Sequence, residues 1–498
     1  MKKGISLVFA VFAFIIVLSA VESVDPKLQK GWQTIRPEDS YNCCKKLASK
    51  EFAGRFTGHS GYTAAAKWAA SRFKEWGLKP IDKKEGYLQP YPSPYSVIDE
   101  AEMMVTLLEE VRIPVAAGAP PKIEMKETKL KPSIPNDFMP LLFSDSGQAS
   151  GEMVFVGWGI SAPDINYDDY AGVDVKGKFV LCFRGTPDGD KKYQYHDEHR
   201  TRMKVAQEKG ALGLIYIYAE VIAHPNGDLR QGFMPAMISE NIADKILKEK
   251  NTTSLELKKA LQTYKRPISF PLSARIDLKV KARHFADGIG YNIAGYVEGS
   301  DPKLKNECII IGGHFDGVGE HLGILFPGAD DNASGSAVVM ETAEAFAKNG
   351  VEPKRSVMFA LFGGEEHGLK GSTYFADHIP QQFNKVDAMF NFDMEGVGDH
   401  VSVSFTENLA ETRNLLEKAD AIVKIISRIG ITRSVGVRGS DFASFFLKGV
   451  PCASFGSNGP RIAHTYHLPG DSIFRINPEI MNEISKLTYL YGFYLADR

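Results

Sequence analysis

The chain has 498 residues, 44% of them hydrophobic and 24% charged, with a formal net charge of −2. That length exceeds one typical core and implies two domains with additions, and the composition is that of a globular protein. Acids and bases are interspersed, and no long basic run or aromatic-basic interleaving occurs, so no nucleic-acid partner is expected.

Lys2 and Lys3 precede an apolar run over 5–20, which small residues and then polar sequence follow. This pattern predicts a secretory signal peptide over 1–23, with cleavage between Ala20 and Ser23 and export to the periplasm or the extracellular space. The run falls short of the roughly 20 residues a membrane span needs, and no second segment is long and apolar enough. No stable membrane association is expected after cleavage. The five cysteines, Cys43, Cys44, Cys182, Cys308 and Cys452, show no CxxC spacing. Cys182, Cys308 and Cys452 lie in apolar runs and read as small core residues, so no disulfide framework is expected.

Ser40 is expected to cap a short helix running to about Lys50. A Gly- and Ser-punctuated loop follows, and Ser60 introduces a second helix with Tyr62, Ala65, Ala66, Ala69, Phe73 and Trp76 on one face. Gly77 ends it, with Pro80 just beyond. The segment 24–95 is thus the first part of an α/β domain, and a Pro-rich stretch over 87–95 marks a change of character. Across 96–285, short β patterns (103–107, 153–156, 179–182, 214–218) alternate with turns, and a single helix is clear, over 202–209. His196 and His199, in YHDEHR, read as a solvated loop.

From 286 to 498, apolar strands and amphipathic helices alternate. The α/β domain therefore resumes, with a mostly parallel (mixed) sheet flanked by helices. Its chemistry gathers at strand ends, where open α/β sheets place their sites. His314 and Asp316 end the apolar run 308–311. Asp330 and Asp331 follow a Pro-Gly turn and precede a helix. Glu365 and Glu366 close the run 357–362. Asp393 ends a further apolar run, where an unpaired charge is costly, and His467 comes late, in HTYHLPGDS. These nitrogen and oxygen donors suit zinc or another divalent transition ion, with enough of them for two metals. There is no HExxH and no GxSxG, and Gly317–Val318–Gly319 fails as a dinucleotide loop because Leu322 stands where a third glycine is needed.

The segments GGHFD, GADDNASG, FGGEEHGLKGS, NFDMEG and YHLPGDS, with LASKEFAGR near the start, resemble those of the co-catalytic zinc exopeptidases. That group includes secreted bacterial leucyl-type aminopeptidases, glutamate carboxypeptidase II and the non-enzymatic transferrin receptor. GEMVFVGWGI, DYAGVDVKGKFVLCFRG and KVAQEKGALGLIYI resemble the protease-associated domain inserted in several exopeptidases. The resemblance implies a phosphorylase/hydrolase-like zinc peptidase core interrupted over 96–285. It implies two Zn2+ per chain, one held by His314 and Asp393, the other by Glu366 and His467, with Asp331 bridging them.

By the same resemblance, Glu365 is the general base that activates the attacking water. Asp316 fixes the imidazole tautomer of His314, and Tyr466 helps hold the tetrahedral intermediate. A cis peptide between Asp331 and Asn332 is implied as well. His464 rivals His467 as a ligand, but only His467 has an aspartate four residues on, Asp471. The activity implied is release of N-terminal, apolar residues from peptide substrates. A carboxypeptidase of the glutamate carboxypeptidase type is the alternative, ahead of a glutaminyl cyclase or a receptor-like protein. Against the carboxypeptidase, 455–458 contains no arginine for a terminal carboxylate, Arg461 being the nearest. Phe445, Phe446 and Phe455 are candidates either for a side-chain pocket or for the core. The oligomeric state is left open.

Overall fold

A computed structural model describes residues 23–113, 115, 122–187, 189, 191–193, 195–433, 439–459 and 465–498. Residues 1–22 of the expected signal peptide over 1–23, together with Arg461 and His464, lie outside the described residues. Among the described residues, no helix is long and apolar enough to cross a membrane, and all five cysteines are free.

Two sheets organise the molecule. The first has nine strands, ordered Lys79–Pro80, Ile289–Val297, Ser356–Phe362, Glu307–His314, Lys385–Phe392, Cys452–Asn458, His400–Thr406 and Ile426–Thr432, with Leu88–Pro92 pairing Ile289–Val297 from outside that path. Its centre, from Ser356–Phe362 to Cys452–Asn458, is parallel, and antiparallel pairings flank it. The central strands read as unbroken apolar runs because both faces are covered. Ile309, Ile311, Phe359 and Phe390 pack under the helices Ser60–Trp76, Gly335–Asn349 and Pro478–Ala496. Cys308, Ile310, Met358 and Met389 pack on the opposite face against Phe375 and Phe445 of the shorter helices Lys370–Asp377 and Phe442–Phe446. Phe445 and Phe455 are therefore core residues. Phe445 abuts Phe362, and Phe455 stacks on Phe392 with ring centroids 4.7 Å apart.

The first long helix runs over Pro37–Leu47, with its N-cap at Arg36, four residues ahead of the expected cap. Pro37 fits the first turn, where its missing N–H costs nothing, and Glu38 and Asp39 complement the helix dipole. Ser40 lies inside the helix, buried, with its hydroxyl on the Pro37 carbonyl. The second helix, Ser60–Trp76, ends at Gly77 in the left-handed conformation.

The second sheet has eight strands, all between Tyr95 and Phe285. Tyr95–Ile113 leads out, Ser269–Phe285 returns antiparallel to it, and the rings of Tyr95 and Phe285 stack at the neck with centroids 4.6 Å apart. This region holds more helix than its sequence suggested. His199–Glu208 is joined by Glu240–Leu247 and Ser254–Tyr264, the latter started by a reciprocal Thr253/Glu256 capping box. The insert reaches back to the first sheet's loops. The Ala223 N–H donates to the His467 carbonyl at 3.0 Å, and Arg200 Nη2 donates to the His367 carbonyl at 3.1 Å.

Candidate metal centre

The carboxyl ends of three neighbouring parallel strands deliver the donors. His314 is the last residue of Glu307–His314, Asp393 follows Lys385–Phe392 directly, and Glu365 and Glu366 follow Ser356–Phe362. Asp331 sits in the irregular turn Ala329–Ser334 ahead of the helix Gly335–Asn349, and His467 lies in the loop after Cys452–Asn458. The fold brings all five together. Asp331 faces two ways: Oδ1 lies 3.2 Å from His314 Nε2, and Oδ2 lies 3.4 Å from His467 Nε2. His314 Nε2 is also 3.2 Å from Asp393 Oδ1, and His467 Nε2 is 2.8 Å from Glu366 Oε2. Each histidine thus has its own carboxylate, and one carboxylate is shared.

Burial makes this cluster electrostatically demanding. His314, Asp331, Glu366 and His467 are all nearly inaccessible to solvent, while the Asp393 side chain keeps 25% exposure. Burial opposes charge on His467, yet Glu366 and Asp331 beside it raise its pKa to about 10. Burial likewise opposes charge on His314, and Asp393, Glu365 and Asp331 lift it well above the usual imidazole value. Burial pushes Glu365 well up, and it raises Glu366 too, with neighbouring carboxylates adding to both shifts. Four carboxylates face two imidazoles, a surplus of negative charge that a divalent cation would neutralise.

The donors fit such a cation. Among the described residues, Glu366 Oε1 and both ring nitrogens of His467 are buried without a hydrogen-bond partner, even though Glu366 Oε2 lies within reach of His467 Nε2. His314, Asp331 and Glu366 place one donor atom each within 4.8 Å of one another. Imidazole nitrogen with carboxylate oxygen is a zinc-type donor set.

The surrounding residues fix these donors through the backbone. Asp471 accepts from the Asp330 and Asp331 N–H groups at 2.8 and 3.0 Å, which sets the turn that aims Asp331. Asn332, joined to Asp331 by a cis peptide bond, donates to the carbonyls of Phe392 and His314 and accepts from the Gly335 and Met394 N–H groups. One amide thus ties three ligand-bearing segments. Gly313 permits this closeness, since a Cβ there would lie 2.2 Å from the Phe392 carbonyl oxygen.

Arg55, wholly buried, donates to the carbonyls of Leu47, Phe315, Pro327 and Gly328. It fastens the loop after His314 to the turn carrying Asp331. LASKEFAGR marked this stretch, but nothing in it assigned Arg55 a task. Asn332 was equally silent inside GADDNASG.

Asp316 is fully buried, and burial raises its pKa to about 7. Its carboxylate accepts from the Glu365 N–H at 3.2 Å. His314 Nδ1 lies nearer the Asp316 main-chain carbonyl (3.3 Å) than its carboxylate (3.8 Å). The backbone is thus the closer acceptor for that ring nitrogen, because the carboxylate is turned to Glu365.

Both glutamates line a cleft of about 480 Å³, Glu365 half-buried and Glu366 buried with Oε2 against His467. The two lie in a bend and turn beyond the strand, where the Gly368 and Leu369 N–H groups donate to the Glu365 carbonyl. Tyr466, 47% exposed, stacks on His467 at the same mouth. The far wall comes from the insert and includes Arg184, His199 and His224. His199 is therefore no solvated loop residue. It is buried, with Nδ1 3.2 Å from the Tyr216 hydroxyl and its ring 4.1 Å from that of His224. His196 stays outside the cleft lining, with a 14% exposed side chain.

The model of peptidase family M28 matches residues 292–491. A probable leucine aminopeptidase of Arthroderma otae is 29% identical over 215 residues, which cover 39% of this chain and 56% of that protein. Aminopeptidase YwaD of Bacillus subtilis is 26% identical over 223 residues, covering 43% and 47%. The chain thus spans about half the length of the curated relatives it matches. An aminopeptidase from Aneurinibacillus sp. strain AM-1 shares the fold across 94% of this chain and 96% of its own, with a TM-score of 0.63 at 20% identity. Through its segment 292–491, the chain is similar to peptidase family M28.

Proposed function

We propose that the protein is a dizinc aminopeptidase that releases N-terminal, apolar residues from peptides with a free amine. The observation that carries this reading is Asp331, whose two carboxylate oxygens face two different histidines, each paired with its own carboxylate. His314 and Asp393 would hold one zinc ion and Glu366 and His467 the other, with Asp331 between them. When bound, such a pair polarises the scissile carbonyl and lowers the pKa of water to about 7.

The remaining work falls to the chain's own groups. Glu365, beside the donors but turned to the cleft, takes the proton of the attacking water and returns it to the leaving amine. Asp316 holds the Glu365 backbone in place through its N–H. Tyr466 steadies the oxygen on which charge builds. A free α-amine suits a site rich in carboxylates such as Asp393 and Glu365. With Phe445 and Phe455 committed to the core, Ile222 and Leu369 supply the apolar lining of the cleft. The insert, read as a protease-associated domain, limits the size of what enters. The signal-peptide pattern over 1–23 supports export of the mature enzyme.

The test is a substrate panel with chelation. Chelator should abolish release of leucine from a free-amine peptide, zinc should restore it, and acetylating the amine should block it. Cleavage of the acetylated peptide with the free-amine peptide refractory would contradict the assignment.

A further inference from the structure

We propose that Arg184 recognises a carboxylate on the leaving-group side of the cleft, which makes short peptides with a free carboxyl terminus, or peptides acidic just beyond the cleaved bond, the preferred substrates. Arg184 follows the strand Phe179–Phe183 of the insert and lines the same cleft as Glu365, Tyr466 and His467. Its side chain is 17% exposed. Nε donates to Asp197 Oδ1 at 3.0 Å, and Nη1 contacts His199 Nε2. Among the described residues, Nη2 has no hydrogen-bond partner.

The guanidinium is held in advance. Asp197 also takes the fully buried Arg202 at 2.9 Å, so one carboxylate serves two guanidinium groups. A positive group braced in this way, with N–H bonds open to a partly dry cleft, suits a carboxylate.

The spacing sets the substrate's length. From the ligand His467, ring centroids step 6.3 Å to His224 and 4.1 Å to His199, which touches Arg184. At about 3.3–3.6 Å per extended residue, that path corresponds to no more than about four residues. In an aminopeptidase only one residue lies on the amine side of the cut, so a group this far from the ligands faces the leaving peptide. The Glu198 carboxylate lines the same wall and has no hydrogen bond or ion pair among the described residues, and it defines the rival outcome, a preference for a cationic group.

The inference rests on the aminopeptidase reading, and the two fail differently. The assay compares kcat/KM for Leu-Ala, Leu-Ala-Ala and Leu-Ala-Ala-Ala with that of their C-terminal amides. Leu-Asp-Ala-NH2 and Leu-Ala-Asp-NH2 offer the carboxylate on a side chain, and Leu-Ala-Lys-NH2 offers a cation. For the intact enzyme, an acid-to-amide ratio of roughly 10–100 at one length, or the same preference for an acidic side chain, is expected of a charge-assisted hydrogen bond. The first result identifies a terminal carboxylate and the second a side-chain one. Arg184→Gln should bring the ratio near one, and Arg184→Lys should keep part of it. Because each protein supplies its own ratio, a loss of folded enzyme does not imitate the effect. Ratios near one throughout, a ratio that survives Arg184→Gln, or a preference for the lysine peptide would each overturn the assignment of Arg184. Cleavage of acetyl-Leu-Ala would instead sink the aminopeptidase reading, whatever the ratios.

Discussion

Replacing Arg55 by methionine should cost the domain that carries the candidate metal centre much of its stability, although Arg55 touches none of the expected ligands. The side chain is wholly buried and donates to four carbonyls at 2.8–2.9 Å, from Leu47, Phe315, Pro327 and Gly328. Methionine fills similar volume and supplies no donor. Each carbonyl left dry and unpaired costs about 1–3 kcal/mol. Water and relaxation recover part of that, so a net loss of about 3–5 kcal/mol is expected. For a domain of this size it corresponds to a fall in Tm of about 5–10 °C. Two of the four carbonyls flank ligand segments, Phe315 beside His314 and Gly328 ahead of Asp331, so zinc affinity should fall as well. Thermal unfolding with and without added zinc separates the effects, and the variant should gain less from zinc than the intact protein does. Arg55→Lys keeps the charge but cannot span four acceptors, and should fall between. An Arg55→Met protein that melts within 1 °C of the parent and binds zinc equally well would refute the reasoning.

Asn332→Asp sets a carboxylate against the carbonyls of Phe392 and His314, and elemental analysis should find less zinc per chain; full zinc would mean that this amide does not hold the segments together. His196→Ala should leave zinc content and the rate on a small chromogenic amide unchanged, since His196 stands outside the cleft lining; a large loss of either would give YHDEHR a working role there. In the insert, burial raises Asp169 to a pKa of about 7 despite hydrogen bonds from the Trp158 and Ile160 N–H groups and the Tyr167 hydroxyl. A carboxyl raised on folding stabilises fully below its ordinary pKa of about 3.9 and loses that contribution as pH rises through about 7. Asp169→Asn should therefore gain in Tm relative to the parent between pH 4 and pH 8, and a Tm difference that ignores pH would show the carboxyl to be ionised throughout.

The parts of the fold that were legible were those where one periodicity dominates. The runs 308–311 and 357–362 read as strands because both of their faces are covered. Tyr95–Ile113 was seen only in part, as 103–107, because much of its length is solvent-facing and polar and breaks the apolar signal. Ser254–Tyr264 was missed although Thr253 and Glu256 spell a capping box, since the surrounding β patterns drew the reading away from helix. At the site, the five donor positions stood out because carboxylates and imidazoles are costly at the ends of buried strands. Arg55 and Asn332 did not, because their partners are main-chain groups from distant segments, and main-chain groups leave no mark on composition. His199 looked solvated because YHDEHR is polar; its burial comes from Tyr216 and His224, which only the folded insert brings to it. The stretch 455–458 holds no arginine, as its sequence shows, but only the folded insert brings Arg184 to the cleft.

The proposed function gives the neighbours Glu365 and Glu366 separate tasks, and zinc counted in Glu365→Gln tests that division most directly. Elemental analysis of the purified variant should find two zinc ions per chain, as in the parent, while turnover falls by roughly 10²–10⁴, the usual contribution of a general base. A variant that loses zinc would assign Glu365 to the metal, and a parent that holds a single ion would contradict the shared role of Asp331.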